Sequence, residues 1–109
     1  MPRFIRDEEV EAALFWLNEN AVVAAKARAE RLYVEDYARV IKARIMREHA
    51  KESGIVQERE AYADSRYLQH LEAIRQAVMA DETQRFLRDA KLALVEAWRT
   101  CSSNERTRI

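Results

Sequence analysis

The chain has 109 residues, of which 49% are apolar and 35% charged, with one glycine, one proline and equal numbers of acids and bases. This length suits one domain, and the composition excludes collagen-like, disulfide-framework and low-complexity proteins. A mainly β protein is also disfavoured, because hairpin turns need glycine, asparagine and proline. Alanine, glutamate, arginine and leucine favour helix, so we predict a single all-α domain over residues 1–109.

The sequence also indicates where the protein works. No uncharged run is long enough to span a bilayer, and charges surround the few apolar residues at the start of the chain, unlike in a secretory signal. Cys101 is the single cysteine, so an intrachain disulfide is impossible. We therefore expect a cytoplasmic protein that has no membrane partner.

The stretch from 21 to 51 lacks glycine and proline and predicts one long helix over about 21–52, the centre of a helical bundle. Shorter helices are expected before and after it, and Asn18 and Asn20 either end the first of these or lie within a continuous helix. Two opposed apolar faces line the long helix. One face holds Ala27, Val34, Ala38, Ile41 and Ile45, and the other holds Ala25, Ala29, Leu32, Ala43 and Ala50. A helix with two apolar faces is usually packed on both sides, so we predict that homo-oligomerisation completes the bundle.

The end of the long helix is predicted at Ser53-Gly54-Ile55. Gly54 would take the left-handed conformation there, and Ile55 would pack back onto the helix. The next residues, 56–63, suit a short helix. Asp64 and Ser65 then offer an N-cap for the last helix.

The last segment changes its apolar face by about 150° between Val78 and Phe86, at 100° per residue. Asp81-Glu82-Thr83-Gln84 resembles a weakened capping box at this point. We favour a break or kink near Ala80, and the alternative is one helix whose two halves meet different neighbours. Residues 103–109 are expected either to fray or to dock on a partner.

Arginine supplies 15 of the 19 basic residues, and these side chains form the candidate interface. The predicted contacts to nucleic acid or to a protein partner are Arg28, Arg31, Arg39, Lys42, Arg99, Arg106 and Arg108. The first four share one face of the long helix and could follow a phosphate backbone or an acidic partner. The alternative is a solvated face that Glu35 partly neutralises.

Patterns typical of catalysis or metal binding are missing from the sequence. His49 and His70 are far apart and lack the Glu-x-x-His spacing of di-iron bundles. Cys101 has no histidine near it in sequence, and no phosphate-binding glycine loop or nucleophile motif is present. We therefore predict a non-enzymatic protein without a metal or cofactor. Tyr33 and Tyr37, four residues apart, are expected at the bundle boundary with buried rings and hydroxyls in solvent, and the alternative is that they stack on each other or on Arg44.

Three segments have a distinctive composition. They are Glu96-Ala97-Trp98-Arg99-Thr100-Cys101-Ser102-Ser103-Asn104-Glu105-Arg106, Arg59–Tyr67 and the region around Arg31, Tyr33 and Tyr37. Together they resemble small helical proteins encoded by tailed phages and prophages, over most of the chain after residue 20. Such proteins are often encoded near recombination or replication genes, which implies a role in DNA metabolism and a location in the host cytoplasm. The resemblance carries over no catalytic residue.

Two functions fit these observations. The first is an oligomeric helical adaptor of phage DNA metabolism that contacts nucleic acid or a DNA-processing protein. The alternative is a protein–protein interaction module that modulates or inhibits a host enzyme and binds no nucleic acid. The arginine face and the resemblance favour the first function, whereas zero net charge favours the second.

Overall fold

The computed structural model describes residues 5 to 107, which form three helices and no strand. The helices are α1 (Asp7–Glu48), α2 (Gly54–Ala63) and α3 (Ser65–Thr107). The predicted all-α class is confirmed, although the bounds of its helices differ from those expected. The long helix begins at Asp7 instead of near residue 21 and ends at Glu48 instead of near residue 52. The last helix, with 43 residues, is as long as α1 with 42.

The continuity of α1 through its two asparagines has a local cause. The Asn20 side chain donates a hydrogen bond from Nδ2 to the Trp16 carbonyl oxygen, at 3.0 Å. A side chain that bonds back to its own helix in this way does not cap a new one. Acidic residues in the first turn complement the positive end of the helix dipole at the start of α1. Residues 7–20, expected to form a separate short helix, are therefore the first part of α1.

The predicted role of Gly54 is wrong, because no described glycine has a positive φ. α1 ends where the amides of His49 and Ala50 bond to carbonyls three positions back, at 3.0 and 3.2 Å, which tightens the last turn. Gly54 begins α2 instead, and Ser53 is its N-cap, with Oγ accepting from an amide of the first turn. Ile55 is 81% exposed and does not pack back onto α1.

The junction between α2 and α3 confirms the predicted N-cap. The Asp64 carboxylate accepts a hydrogen bond from the Arg66 amide at 2.8 Å, and Asp64 itself is extended. The Arg66 guanidinium also binds the carboxylates of Asp64 and Glu48, at 2.9 and 2.7 Å. These bonds lower the pKa of Asp64 from 3.8 to about 2 and lower the pKa of Glu48. One arginine thus ties the start of α3 to the end of α1.

Residues 5 to 107 divide into two compact units. The terminal unit contains the residues up to Ala25 and those from Glu82 onward, and the central unit is Lys26–Asp81. In each unit α1 and α3 run antiparallel, because residues that come later in α1 contact residues that come earlier in α3. The buried side chains are Val10 and Ala13 in the terminal unit, and Val34, Ile45, Ala61 and Ala77 in the central unit. Both cores are therefore small.

The predicted break near Ala80 is wrong, because α3 is continuous from Ser65 to Thr107. The Asp81 carboxylate binds Arg31 of α1 at 3.1 Å, so it does not cap a new helix. The change of apolar face instead coincides with a change of unit, since Asp81 ends the central unit and Glu82 belongs to the terminal unit. The alternative of one continuous helix is the one observed, and its packed side does not change near Ala80, because Ile74, Ala77, Asp81 and Gln84 are buried or half-buried at spacings of three and four. Residues 103–107 are helical and not frayed.

We expect the Arg66 contacts to make stability depend on pH. The pKa values of Glu48 and Asp64 are depressed in the folded protein, so the stabilisation is complete above their unfolded values and is lost as pH falls from about 4.5 towards 2. The loss of stability caused by Arg66→Gln should therefore be large at pH 6 and small near pH 2, measured by urea denaturation. Arg59→Gln, which changes an exposed arginine of α2, is the control and should show no such trend. If the free energy of unfolding of Arg66→Gln differed from that of the wild type by the same amount at every pH in this range, the role given to the Arg66 ion pairs would be contradicted.

Candidate interaction surfaces

The predicted basic face of α1 is partly used inside the molecule. Arg31 is a half-buried residue whose Nε lies 2.9 Å from Glu35 and whose Nη1 lies 3.1 Å from Asp81. Because the Asp81 side chain is only 15% exposed, this pair is shielded from solvent better than a typical surface ion pair. Arg31 therefore joins α1 to α3 within the central unit and presents little charge to a partner.

Lys42 is also engaged within the central unit. Its Nζ donates to Glu58 Oε1 and to the Tyr62 hydroxyl, each at 2.8 Å, and lies 4.5 Å from the centre of the Tyr62 ring. The hydrogen bond to Glu58, followed by that to Tyr62, raises the pKa of Lys42, and the pKa of Glu58 is lowered in turn. These contacts attach α2 to α1.

The remaining predicted cations are more accessible. Arg28 and Arg39 are exposed and form no ion pair with any described residue. Arg106 is likewise exposed and has no ion pair with a described residue, whereas Arg99 binds Glu96 at 3.2 Å. Arg108 lies outside the described residues. Of the four predicted cations on α1, Arg28 and Arg39 are therefore the two without an ion pair inside the central unit.

An aromatic cluster on α1 shows the stacking alternative, because Tyr33 is 63% exposed and its ring is not buried. The rings of Tyr33 and Tyr37 lie 5.8 Å apart and nearly parallel, and Arg44 donates a hydrogen bond to the Tyr37 hydroxyl at 3.0 Å. On its other side, Tyr37 contacts His70 of α3, whose ring nitrogen Nε2 is hydrogen-bonded to the carbonyl oxygen of Val34. The cluster therefore positions α3 against α1 in the central unit.

Trp98 connects the two helices of the terminal unit. The indole is half-buried, and its Nε1 donates a hydrogen bond to Asp7 Oδ1 at 3.0 Å. Other half-buried residues on the same line of α3 are Lys91, Val95 and Ser102. Lys91 in turn lies 5.9 Å from the centre of the Trp16 ring. The side of α3 that packs on α1 is thus mixed in polarity.

The most apolar side of α3 in the terminal unit is exposed. Phe86 is 67% exposed and Leu87 41% exposed, and Ala90 and Ala97 are also exposed. At 100° per residue, the sector of about 120° centred on these residues holds no charge between positions 83 and 101. Its members are Thr83, Phe86, Leu87, Ala90, Ala93, Leu94, Ala97 and Cys101. We call this sector the α3 flank, and sequence periodicity had marked it only as an apolar stripe.

A second uncharged sector lies on α1 in the same unit, between positions 14 and 25, and its centre is roughly 80° around the helix from the buried Val10 and roughly 140° from the buried Ala13. Leu14 is 51% exposed, Phe15 68% and Val22 63%. The other three members of this sector are also exposed, and one of them, Asn18, is polar but uncharged. We call it the α1 stripe, and its members are Leu14, Phe15, Asn18, Ala21, Val22 and Ala25. In the central unit Leu32, which belongs to the predicted second apolar face of α1, is also exposed.

Other classes of site have little support among residues 5 to 107. No group of three or more histidines, cysteines or acids in this range is placed to hold a metal ion, and no helix in it has an apolar stretch long enough to cross a membrane. Comparison of the chain with protein-family models, with curated proteins and with solved structures gives no match.

The internal role of Arg31 can be tested by mutation. We expect Asp81→Ala to reduce the free energy of unfolding by about 1–3 kcal/mol, because it leaves a half-buried guanidinium with one fewer charged partner. In a double-mutant cycle with Arg31→Ala, urea denaturation should give a coupling energy of about 1 kcal/mol. If the two substitutions instead have additive effects, the pair does not stabilise the fold and Arg31 is available to a partner.

Proposed function

We propose that the protein is a non-enzymatic helical interaction module whose α3 flank binds a helix of another protein. The exposed position of Phe86 and Leu87 in an uncharged sector carries this proposal. An exposed apolar patch of this kind is typical of a protein interaction site. The basic face gives less support to a nucleic-acid function, because Arg31 and Lys42 are engaged within the fold.

The dimensions of the α3 flank suit a helix. Its members recur three and four residues apart from Thr83 to Cys101, which spans about 27 Å at 1.5 Å per residue. Alanines at positions 90, 93 and 97 leave room for close approach in the middle of this length. The larger side chains of Phe86 and Leu87 lie near one end. This is the pattern of a surface that receives an amphipathic helix through anchors at helical spacing.

The border of the α3 flank indicates the charge of the partner. Glu82, Asp89 and Glu96 follow one another at intervals of seven residues along one edge. Asp89 and Glu96 form exposed pairs with arginines, at 3.9 and 3.2 Å, and such pairs contribute little. Glu82, which lies 3.7 Å from Arg85, is only 30% exposed. We therefore propose a partner helix whose apolar stripe is bordered by lysine or arginine, since such residues steer association and fix the register.

A paired substitution tests this function. Phe86→Glu with Ala90→Glu places two charges in the α3 flank, whereas Leu92→Glu places one on another exposed side of α3. Affinity purification from producing cells, quantified by mass spectrometry, should show at least a tenfold loss of specifically co-purifying protein for the paired variant. The Leu92→Glu control should retain that protein. Circular dichroism must show that the wild type and both variants are equally helical. Recovery of the same amount of partner with all three would then contradict the proposal.

Nucleic-acid binding is the second candidate, favoured by the exposure of Arg28 and Arg39. It is the function that the likeness to phage-encoded proteins implies, and it would be a weak, sequence-indifferent contact because few cations are available. We expect the affinity for labelled single- and double-stranded DNA to fall steeply with salt, and to fall further with Arg28→Glu and Arg39→Glu, when measured by fluorescence anisotropy. Absence of binding even at about 50 mM salt would leave the protein-binding function alone.

A further inference from the structure

The α1 stripe occupies the part of the terminal unit where α1 is apolar on nearly all sides. Between Ala12 and Ala25 the helix carries one charged residue, Glu19. A helix that is apolar all round is normally buried, yet α3 covers only the side that includes Ala13. The opposite side, which contains Phe15 and Val22, is open in the single chain. A surface of this kind needs an occupant.

We propose that the α1 stripe of a second copy of this chain covers it, with the two helices antiparallel about a two-fold axis. An isologous contact requires a patch that matches itself. The α1 stripe meets this requirement because it holds no charge, and because the chain has a formal net charge of zero, so two copies do not repel each other. The proposal extends the function proposed above, since a dimer would present two α3 flanks to its partners.

The distribution of side-chain sizes favours the antiparallel arrangement. Large side chains, Leu14 and Phe15, lie at one end of the α1 stripe, and small ones, Ala21 and Ala25, lie towards the other. Antiparallel pairing places the large residues of each copy over the small residues of its partner. Parallel pairing would place Phe15 against Phe15 and leave the alanines facing each other across a gap. Antiparallel helices also align their dipoles favourably.

The exposed area agrees with a dimer contact. The open parts of the six side chains amount to roughly 500 Å² in one copy, since a whole aromatic side chain covers about 200 Å². Two copies would therefore bury about 1,000 Å² in total, which is about the minimum for a specific contact and less than the roughly 1,200 Å² at which the range for stable interfaces begins. We expect a dimer that dissociates at measurable concentrations.

Sedimentation equilibrium between 1 and 100 µM tests the dimer directly. The wild type should show a species of twice 12.8 kDa, and Phe15→Glu with Val22→Glu should weaken dimerisation at least 100-fold. Leu92→Glu is the matched control and should dimerise like the wild type. A monomeric wild type throughout this range would overturn the proposal, as would a double variant that remains a dimer.

Cysteine cross-linking tests the geometry in variants that carry no buried charge. In a Cys101→Ser background, Asn18→Cys places a thiol close to the two-fold axis, and oxidation should yield a disulfide-linked dimer. Leu14→Cys should not cross-link, because antiparallel pairing separates the two thiols by about 16 Å along the helix. Cross-linking at both positions would indicate parallel helices, and cross-linking at neither would indicate another surface. Either result would overturn the proposal.

These outcomes separate this inference from the function proposed above. If the wild type is monomeric but Phe86→Glu with Ala90→Glu still removes a bound partner, the dimer is wrong and the α3 flank remains the binding site. If the wild type dimerises through Phe15 while the α3 variant retains every partner, the dimer stands and the proposed function is wrong.

Discussion

The interface between α1 and α3 combines a few branched apolar side chains with small and polar ones, and most other properties of the fold follow from this. In the central unit the residues of α1 that line it are Ala27, Arg31, Val34, Ala38, Ile41 and Ile45, three and four positions apart. In the terminal unit the same spacing brings in Ala13 and Asn20 on α1, and Gln84 and Lys91 on α3. Alanine permits close approach of the helices but buries little area. Each unit is consequently held by a few apolar contacts together with directed polar ones.

Polar contacts at this interface add to its limited apolar burial, and each of them joins one particular residue of α1 to one particular residue of α3. Arg31 with Asp81 joins the helices of the central unit, and Trp98 with Asp7 joins those of the terminal unit. Burying polar side chains at this interface also costs free energy at Gln84, because its Oε1 is buried without a hydrogen-bond partner among the described residues. Such groups favour one alignment of two helices even where they add little net stability.

Much of the fold was predictable because its signals are local. The all-α class follows from composition, and the start of α3 follows from Asp64, whose cap requires only the neighbouring residues. The predicted end of the long helix, near residue 52, is close to its observed end at Glu48. The role predicted for Gly54 is wrong because Ser53-Gly54 is compatible both with a glycine that ends one helix and with a serine N-cap that starts the next. Asn20 and Asp81 misled for a shared reason. Each is a good capping residue that hydrogen-bonds elsewhere, and sequence spacing does not reveal such a bond.

The candidate surfaces were harder to predict, because the side of a helix that is packed is decided by its partner. Periodicity marked Phe86, Leu87 and Ala97 as an apolar stripe, and an apolar stripe normally packs into the core. Here α3 packs through the line of Val95 and Trp98 instead, so the stripe lies partly outside. The basic residues show the reverse outcome. Arg31 and Lys42 looked available in sequence, but residues 50 and 16 positions further along the chain bind them.

Small cores and open apolar sectors together link folding to association. A domain with few buried side chains has a small free energy of unfolding, since apolar burial must offset the entropy of ordering each residue. Any molecule that binds the folded chain but not the unfolded one adds RT ln(1 + [L]/Kd) to that free energy. Covering Phe15, Val22 or Phe86 would therefore stabilise the helices as well as form a complex. In this protein the residues that would form a complex are large apolar side chains, whereas the residues that hold α1 against α3 include branched apolar side chains such as Val34 and Ile45 together with alanines and polar groups.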